Sequence, residues 1–264
     1  MKNRKIWVML VGLFTALTNG FMGTTLTFAE ENEASQTIEQ PSYISDFPNQ
    51  VGHWQDLVGT AEKKNDSAGL WIANTKQGTN LESVSINLDA REQSSGDLEL
   101  TFLYEGQSNF GLVFRGDKQK TSQWQSFAYN RDGRWQLGQP GGKWLTNIPG
   151  PTLLSGQQYK LLVRYDGKKI QTFLNDQLFY ENEEVHYPDG TSINDDWMGA
   201  VGIRLFGNLS KLNIISMKSG PVGSIPVIDS SAEYRELKEK WRNQLVSKEY
   251  DSTNQDRKST RLNS

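Results

Sequence analysis

The chain contains no cysteine and only two histidines, His53 and His186. The first absence excludes disulfides and any cysteine–zinc site. It does not exclude export, because a core of this size folds without bridges. The two histidines lie far apart in unlike contexts, so a metal site on either needs other ligands. Basic residues are neither in excess nor grouped. The 28 Lys and Arg face 31 Asp and Glu, for a net charge of -3, which leaves no electrostatic footprint for nucleic acid. No Gly-rich turn follows a strand and opens a helix, so the phosphate cradle of nucleotide-binding folds is missing. No apolar run reaches the roughly 20 residues of a membrane-spanning helix. The longest, Ile6 to Leu17, follows Lys2, Arg4 and Lys5 and runs into small residues ending Thr27-Phe28-Ala29. That is the layout of a secretory signal peptide, with an uncleaved anchor as the alternative. Residues 1–29 are therefore expected to be removed, leaving a secreted, extracellular protein with no stable membrane anchor. Losing their three basic residues moves the net charge to -6.

What is abundant is glycine, 24 residues, and aromatics, with 11 Phe, 9 Tyr and 8 Trp. The most informative stretch is Gly96 to Arg115. Leu98, Leu100 and Phe102 alternate with Asp97, Glu99 and Thr101, and Phe110 to Arg115 follows a Gly/Asn turn. Period-two alternation on both sides of a turn predicts a hairpin or a closely joined strand pair with one apolar face, which needs a second sheet over it. Similar runs surround it. They cover residues 53–57, 69–73, 81–88, 124–129, 134–137, 158–165, 168–174, 177–180, 199–205 and 210–217. Asp132-Gly133, Asp166-Gly167 and Asn175-Asp176 supply hairpin turn chemistry. About a dozen strands with no helix before residue 230 predict an all-β, antiparallel two-sheet jelly-roll sandwich, because parallel sheets need crossover helices. Residues 138–157, rich in Pro and Gly and carrying Trp144, predict a long functional loop.

Outside this sandwich, expected over 51–219, the pattern changes. Residues 30–50 are polar and aperiodic, a tether, and residues 220–229 are a linker. Over 230–250, Ser230 and Glu233 fit a capping box, and Tyr234, Leu237, Trp241 and Leu245 form one stripe of an amphipathic helix. A lone helix of this length is marginal in water. Either it docks on the sandwich or it opens a further α/α domain. Residues 251–264 carry no apolar pattern, and the last nine resemble translated sequencing-adapter DNA, which implies an artificial C-terminus.

Segments 109–116, 127–129, 133–137, 154–161 and 169–175 together resemble the concanavalin-like, laminin G-like domains attached to bacterial glycan-degrading enzymes. The likeness spans about residues 60–217 and implies an accessory module. Residues 233–245 with Tyr250-Asp251 resemble the start of the catalytic domain of polysaccharide lyase family 8, which includes hyaluronate, chondroitin and xanthan lyases. That likeness implies β-elimination next to a uronate by an Asn, a His and a Tyr. None of those positions lies in this chain, so no catalytic residue carries over. The resulting expectation is the accessory region of a secreted polysaccharide lyase. It would be a monomer, bind a polysaccharide such as a glycosaminoglycan, and be inactive by itself. The alternatives are a stand-alone glycan-binding adhesin and a glycosidase-like sandwich enzyme.

Sugar recognition needs flat aromatic faces and a few convergent polar groups. Trp124, Tyr129, Trp135 and Trp144 are the candidate platforms, and Arg115 the candidate partner for a uronate carboxylate. Each has a competing role, the aromatics in the core and Arg115 as a loop anchor. Trp71, between Leu70 and Ile72, reads as core. Asp97 and Glu99 read as a solvated face rather than a glycosidase pair. No cofactor is expected. The acidic stretches Glu181 to Glu184 and Asp195-Asp196, with Asp89, are a candidate structural calcium site, although no loop shows ligand spacing.

Overall fold

The computed structural model describes residues 42–44, 51–67, 69–74, 81–227 and 233–245. The expected signal peptide, most of the expected tether, Ser230 of the expected capping box and the 251–264 tail lie outside the described residues. Before the central stretch come β1 (Ser42–Ile44), β2 (Trp54–Val58), β3 (Glu62–Asp66), β4 (Gly69–Ala73) and β5 (Glu82–Asn87). The stretch itself forms β6 (Gly96–Tyr104) and β7 (Asn109–Gly116). Then follow β8 (Gln125–Tyr129), β9 (Trp135–Gln139), β10 (Lys143–Ile148) and β11 (Gln157–Asp166). The last strands are β12 (Lys169–Leu174), β13 (Gln177–Asn182), β14 (Ala200–Phe206) and β15 (Lys211–Gly220), and helix α1 covers residues 233–245.

These strands make the antiparallel two-sheet sandwich that the alternation calls for. One sheet runs β13-β12-β11-β6-β15-β4-β3, with β1 also paired to β15, and the other runs β10-β9-β8-β7-β14-β5-β2. The β11–β13 meander forms as expected. Asn175 and Asp176, with φ of 50° and 68°, build the two-residue turn whose twist suits a hairpin.

Three expectations change. The central pair is not a hairpin, because β6 pairs β11 and β15 while β7 pairs β8 and β14. The turn at 105–108 carries the chain from one sheet to the other, so the two apolar faces meet across the core. Phe102 stacks edge-on to Phe110 at 4.8 Å, and Phe114 stacks on Tyr165 at 4.8 Å. Each such ring contributes roughly 1.5–3 kcal/mol by leaving water. Second, the supposed loop at 138–157 contains β10, which folds back on β9 through Gly141 and Gly142 at φ of 88° and 80°. Third, the tether contains β1, held in register with β15 from Ser42↔Ser219 to Ile44↔Met217.

The open sides of the sandwich are closed by different means. At one, Lys63 of β3 points inward beside Ile72 and binds Asp56 of β2 at 2.5 Å, with Ser85 donating to the same oxygen. An inward charge on an edge strand disfavours pairing with another chain. At the other, α1 covers β13. Trp241 meets Phe179 edge-on at 6.2 Å, and the Glu181 amide of β13 donates to Tyr234 Oη at 3.2 Å. Tyr234 and Trp241 are buried, and Leu237 packs against the same cluster. The stripe read from the sequence thus docks on the sandwich.

Residues 221–227, after β15, lie across the outer face of the first sheet. Asp97 takes both prongs of Arg164, at 2.7 and 2.8 Å, and accepts the Ile225 amide at 3.0 Å. Arg164 in turn donates to the Ile225 carbonyl at 3.0 Å. Asp97 is fully buried and Glu99, paired with Lys218 at 3.1 Å, nearly so. The solvated face expected for these two carboxylates is instead a covered ionic one.

Candidate functional site

Four of the five residues singled out from the sequence are interior. Trp135 is fully buried among Phe127, Tyr129 and Phe179, and its Nε1–H donates to the Pro151 carbonyl at 2.9 Å. Tyr129 points the same way and accepts the Leu153 amide at 3.0 Å. Burial raises its pKa far above the ordinary phenol value, with the Leu153 bond opposing. Both belong to alternating strands whose inward set they complete, so neither meets solvent or sugar.

Arg115 is fully buried and departs from the expected uronate role for a stated reason. Its Nε donates to the Ser94 carbonyl at 2.6 Å, Nη1 to Gln125 Oε1 at 2.9 Å and the Asn194 carbonyl at 3.1 Å, and Nη2 to the Gly167 carbonyl at 2.7 Å. It ties three loops to β8, and its φ of 55° is a left-handed backbone that only these bonds offset. Burial lowers its pKa from the ordinary guanidinium value, opposed first by Tyr165 and then by Asp195. The anchoring role holds, with Ser94, Gly167 and Asn194 as the anchored points rather than Asp89 or Asp117.

Trp124 and Trp144 come together. Cross-strand register puts Trp144 opposite Gly138, Gly138 opposite Ser126, Ser126 opposite Val113 and Val113 opposite Gly202. The adjacent row runs Gln136, Ala128, Gly111, Arg204. Both rows lie on the outer face of the second sheet and are built mostly from small residues. A Cβ on Gly138 would stand 2.2 Å from the Trp144 ring, so the indole lies flat on the sheet only over glycine. Across this shallow floor the Arg204 guanidinium sits 4.2 Å from the Trp144 centroid, 4.2 Å from Phe206 and 5.5 Å from Trp124. The two indoles are 6.1 Å apart. Trp124 is itself buried, held by its Nε1–H to the Thr121 carbonyl at 3.1 Å, so it backs the platform rather than forming it. Trp144 is half-buried and presents the accessible ring.

Polar groups converge on the same place. Arg204 Nε binds Glu82 Oε1 at 2.5 Å, and the Glu82 side chain keeps 31% of its area in solvent. Burial pulls the Arg204 pKa down, with Glu82 as the main opposing influence. Arg204 Nη1 and Ser126 Oγ are buried and have no hydrogen-bond partner among the described residues, a rare and costly state. The site therefore pairs one accessible indole with spare donors beneath it. Arg204 and Glu82 were missed by sequence reasoning, although an arginine inside the apolar run Ala200 to Phe206 was an available signal.

Trp71 also departs from expectation. It lies on the outer face of the first sheet, half-buried, with Lys64 Nζ 4.2 Å over its ring. The acidic stretch after β13 is tied up by lysines, Lys168 on Glu184 at 3.1 Å and Lys169 on Glu183 at 2.7 Å. Among the described residues no three His, Asp or Glu side chains group as a metal site.

No family model matches the chain. Among solved structures it is similar to a Bacillus subtilis protein of unknown function with a galectin-like fold. That match has 13% identity and a TM-score of 0.51, covering 69% of this chain and 96% of the other. Carbohydrate-binding module CBM66 from Bacillus subtilis matches at 16% identity and a TM-score of 0.44, covering 62% and 96%. A Bacillus licheniformis β-glucanase matches at 11% and 0.45, covering 70% and 99%. At 13% identity the first of these likenesses shows the fold alone, a galectin-like β-sandwich.

Proposed function

We propose that this protein is a secreted glycan-binding module that grips its polymer on the outer face of the second sheet. The observation that carries the reading is the accessible Trp144 ring laid beside Arg204, whose free Nη1 lies with Ser126 Oγ under the platform. A pyranose offers an apolar C–H side to an indole and hydroxyls to buried donors and to a carboxylate such as Glu82. A uronate adds a carboxylate that the half-paired guanidinium suits. The preferred ligand is therefore a uronate-containing polysaccharide, and glycosaminoglycans belong to that class. The likeness of residues 233–245 to the start of a lyase domain supports a further part of this reading. In it, the module serves a polysaccharide lyase by holding the enzyme on its polymer at high effective concentration.

Affinity electrophoresis of the whole chain through gels containing uronate polysaccharides tests the proposal. Retardation should fall roughly tenfold in Trp144→Ala, equivalent to about 1.4 kcal/mol, and should weaken in Glu82→Gln. Absence of retardation by any polysaccharide, or retardation indifferent to Trp144, refutes it.

A further inference from the structure

A second cleft lies away from this platform, beside β4 on the first sheet. It has a volume of ≈ 590 Å³ and is lined by Trp71, Asn74, Glu105, Gln107, Leu209 and Lys211. The elements that build it are fixed independently. Trp71 is set by the β4–β15 ladder, in register with Asn213. Asn74 is pinned at the end of β4, its amide donating to the Ser210 carbonyl at 2.8 Å and its Oδ1 accepting from Ser83 Oγ at 2.6 Å. Leu209 projects from the turn between β14 and β15 at a φ of 54° and is 56% exposed. An exposed leucine held in the left-handed region costs backbone energy without gaining burial.

The feature that points to a ligand is Asn74. The residue is 95% buried, it lines the cleft, and among the described residues its Nδ2 has no hydrogen-bond partner. A buried amide donor left unpaired costs about 1–3 kcal/mol, which a bound acceptor recovers. Around it stand an indole, an exposed aliphatic side chain and the Gln107 amide. The Glu105 carboxylate is already neutralised by Lys211. The cleft is amphipathic, with the Glu105–Lys211 pair on one side and Lys64 Nζ 4.2 Å over the Trp71 ring at its edge.

We infer that this cleft is a second saccharide site, one that takes a neutral sugar unit. An oxygen of the sugar accepts from Asn74 Nδ2, its apolar side rests against Trp71 and Leu209, and further hydroxyls reach Glu105 and Gln107. The inference rests on the glycan-binding reading and extends it to a separate surface. Two sites on different sheets also make the module bivalent, which raises retention on a polymer without any new contact.

Isothermal titration of the full chain with neutral and with uronate oligosaccharides, on wild type, Trp71→Ala, Leu209→Gly and Trp144→Ala, tests this. Neutral oligosaccharide affinity should drop roughly tenfold in Trp71→Ala, the loss expected for one ring contact with its buried area. It should fall less in Leu209→Gly, which keeps the fold because glycine relaxes the left-handed backbone. Trp144→Ala should leave neutral binding intact and weaken uronate binding roughly tenfold. If wild type takes up no neutral sugar while still binding uronate, or if neutral binding ignores both Trp71 and Leu209, the second site is refuted and the first stands. If only uronate binding is missing, the first reading fails and the second survives.

Discussion

Asp97→Ala tests the claim that the segment after β15 is locked to the sandwich by one buried ionic contact. Asp97 is fully buried and makes three bonds, two to Arg164 and one from the Ile225 amide. Removing one partner of a buried pair costs about 3–5 kcal/mol, because the other charge stays behind uncompensated. Arg164 retains 17% side-chain exposure and its bond to the Ile225 carbonyl, which puts the loss near the low end, about 3 kcal/mol. For a domain of this size each kcal/mol moves Tm by about 2–4 °C, so a fall of about 6–12 °C is expected in calorimetry. Asp97→Asn keeps an acceptor for Ile225 and should lose about half as much. The double variant Asp97→Leu with Arg164→Met removes both charges and should recover most of the stability. A fall below about 2 °C in Asp97→Ala, or a double variant as unstable as the single, refutes the account.

Alkaline stability follows from buried phenols. Burial pushes Tyr165 and Tyr180 from the ordinary 10.0 up to about 12, so the folded state holds their protons more tightly than the unfolded one. The stability this contributes is complete below pH 10 and is lost as pH rises from 10 toward 12. Thermal melts should drop steeply across that window, and a Tm flat to pH 12 contradicts it. Trp241→Ala removes the edge contact with Phe179. Hydrogen exchange over residues 233–245 should accelerate at least about tenfold while the strands stay protected, and unchanged protection of α1 contradicts the docking. Chelation is expected to leave Tm unchanged within error, because lysines already neutralise Glu183 and Glu184. A drop in EDTA that calcium restores overturns this.

Alternation was sufficient to read the architecture. Side chains on a strand change face at every step, so Leu98, Leu100 and Phe102 declare one buried surface whatever lies opposite. The Asx-Gly turns declare the β8–β9 hairpin and the β11–β13 meander. Alternation carries no information about which strand is the neighbour. The turn at 105–108 therefore looked like a hairpin when it joins two sheets, and β10 was hidden in a segment whose prolines and glycines read as loop. The stripe on α1 was legible, but its partner, the edge of β13, was a matter of tertiary placement.

The site divides along the same line. Local sequence determined that aromatic rings and arginines were present on strands. Only packing determined that Trp135, Tyr129 and Arg115 are interior while Trp144 and Trp71 are not. The physical reason is that both faces of a sheet inside a sandwich with covering loops carry large side chains, so an inward tryptophan and an outward one obey the same period. Orphaned donors such as Arg204 Nη1 and Asn74 Nδ2 exist only in three dimensions, because being unpaired is a property of every atom around a group and of no residue in the chain.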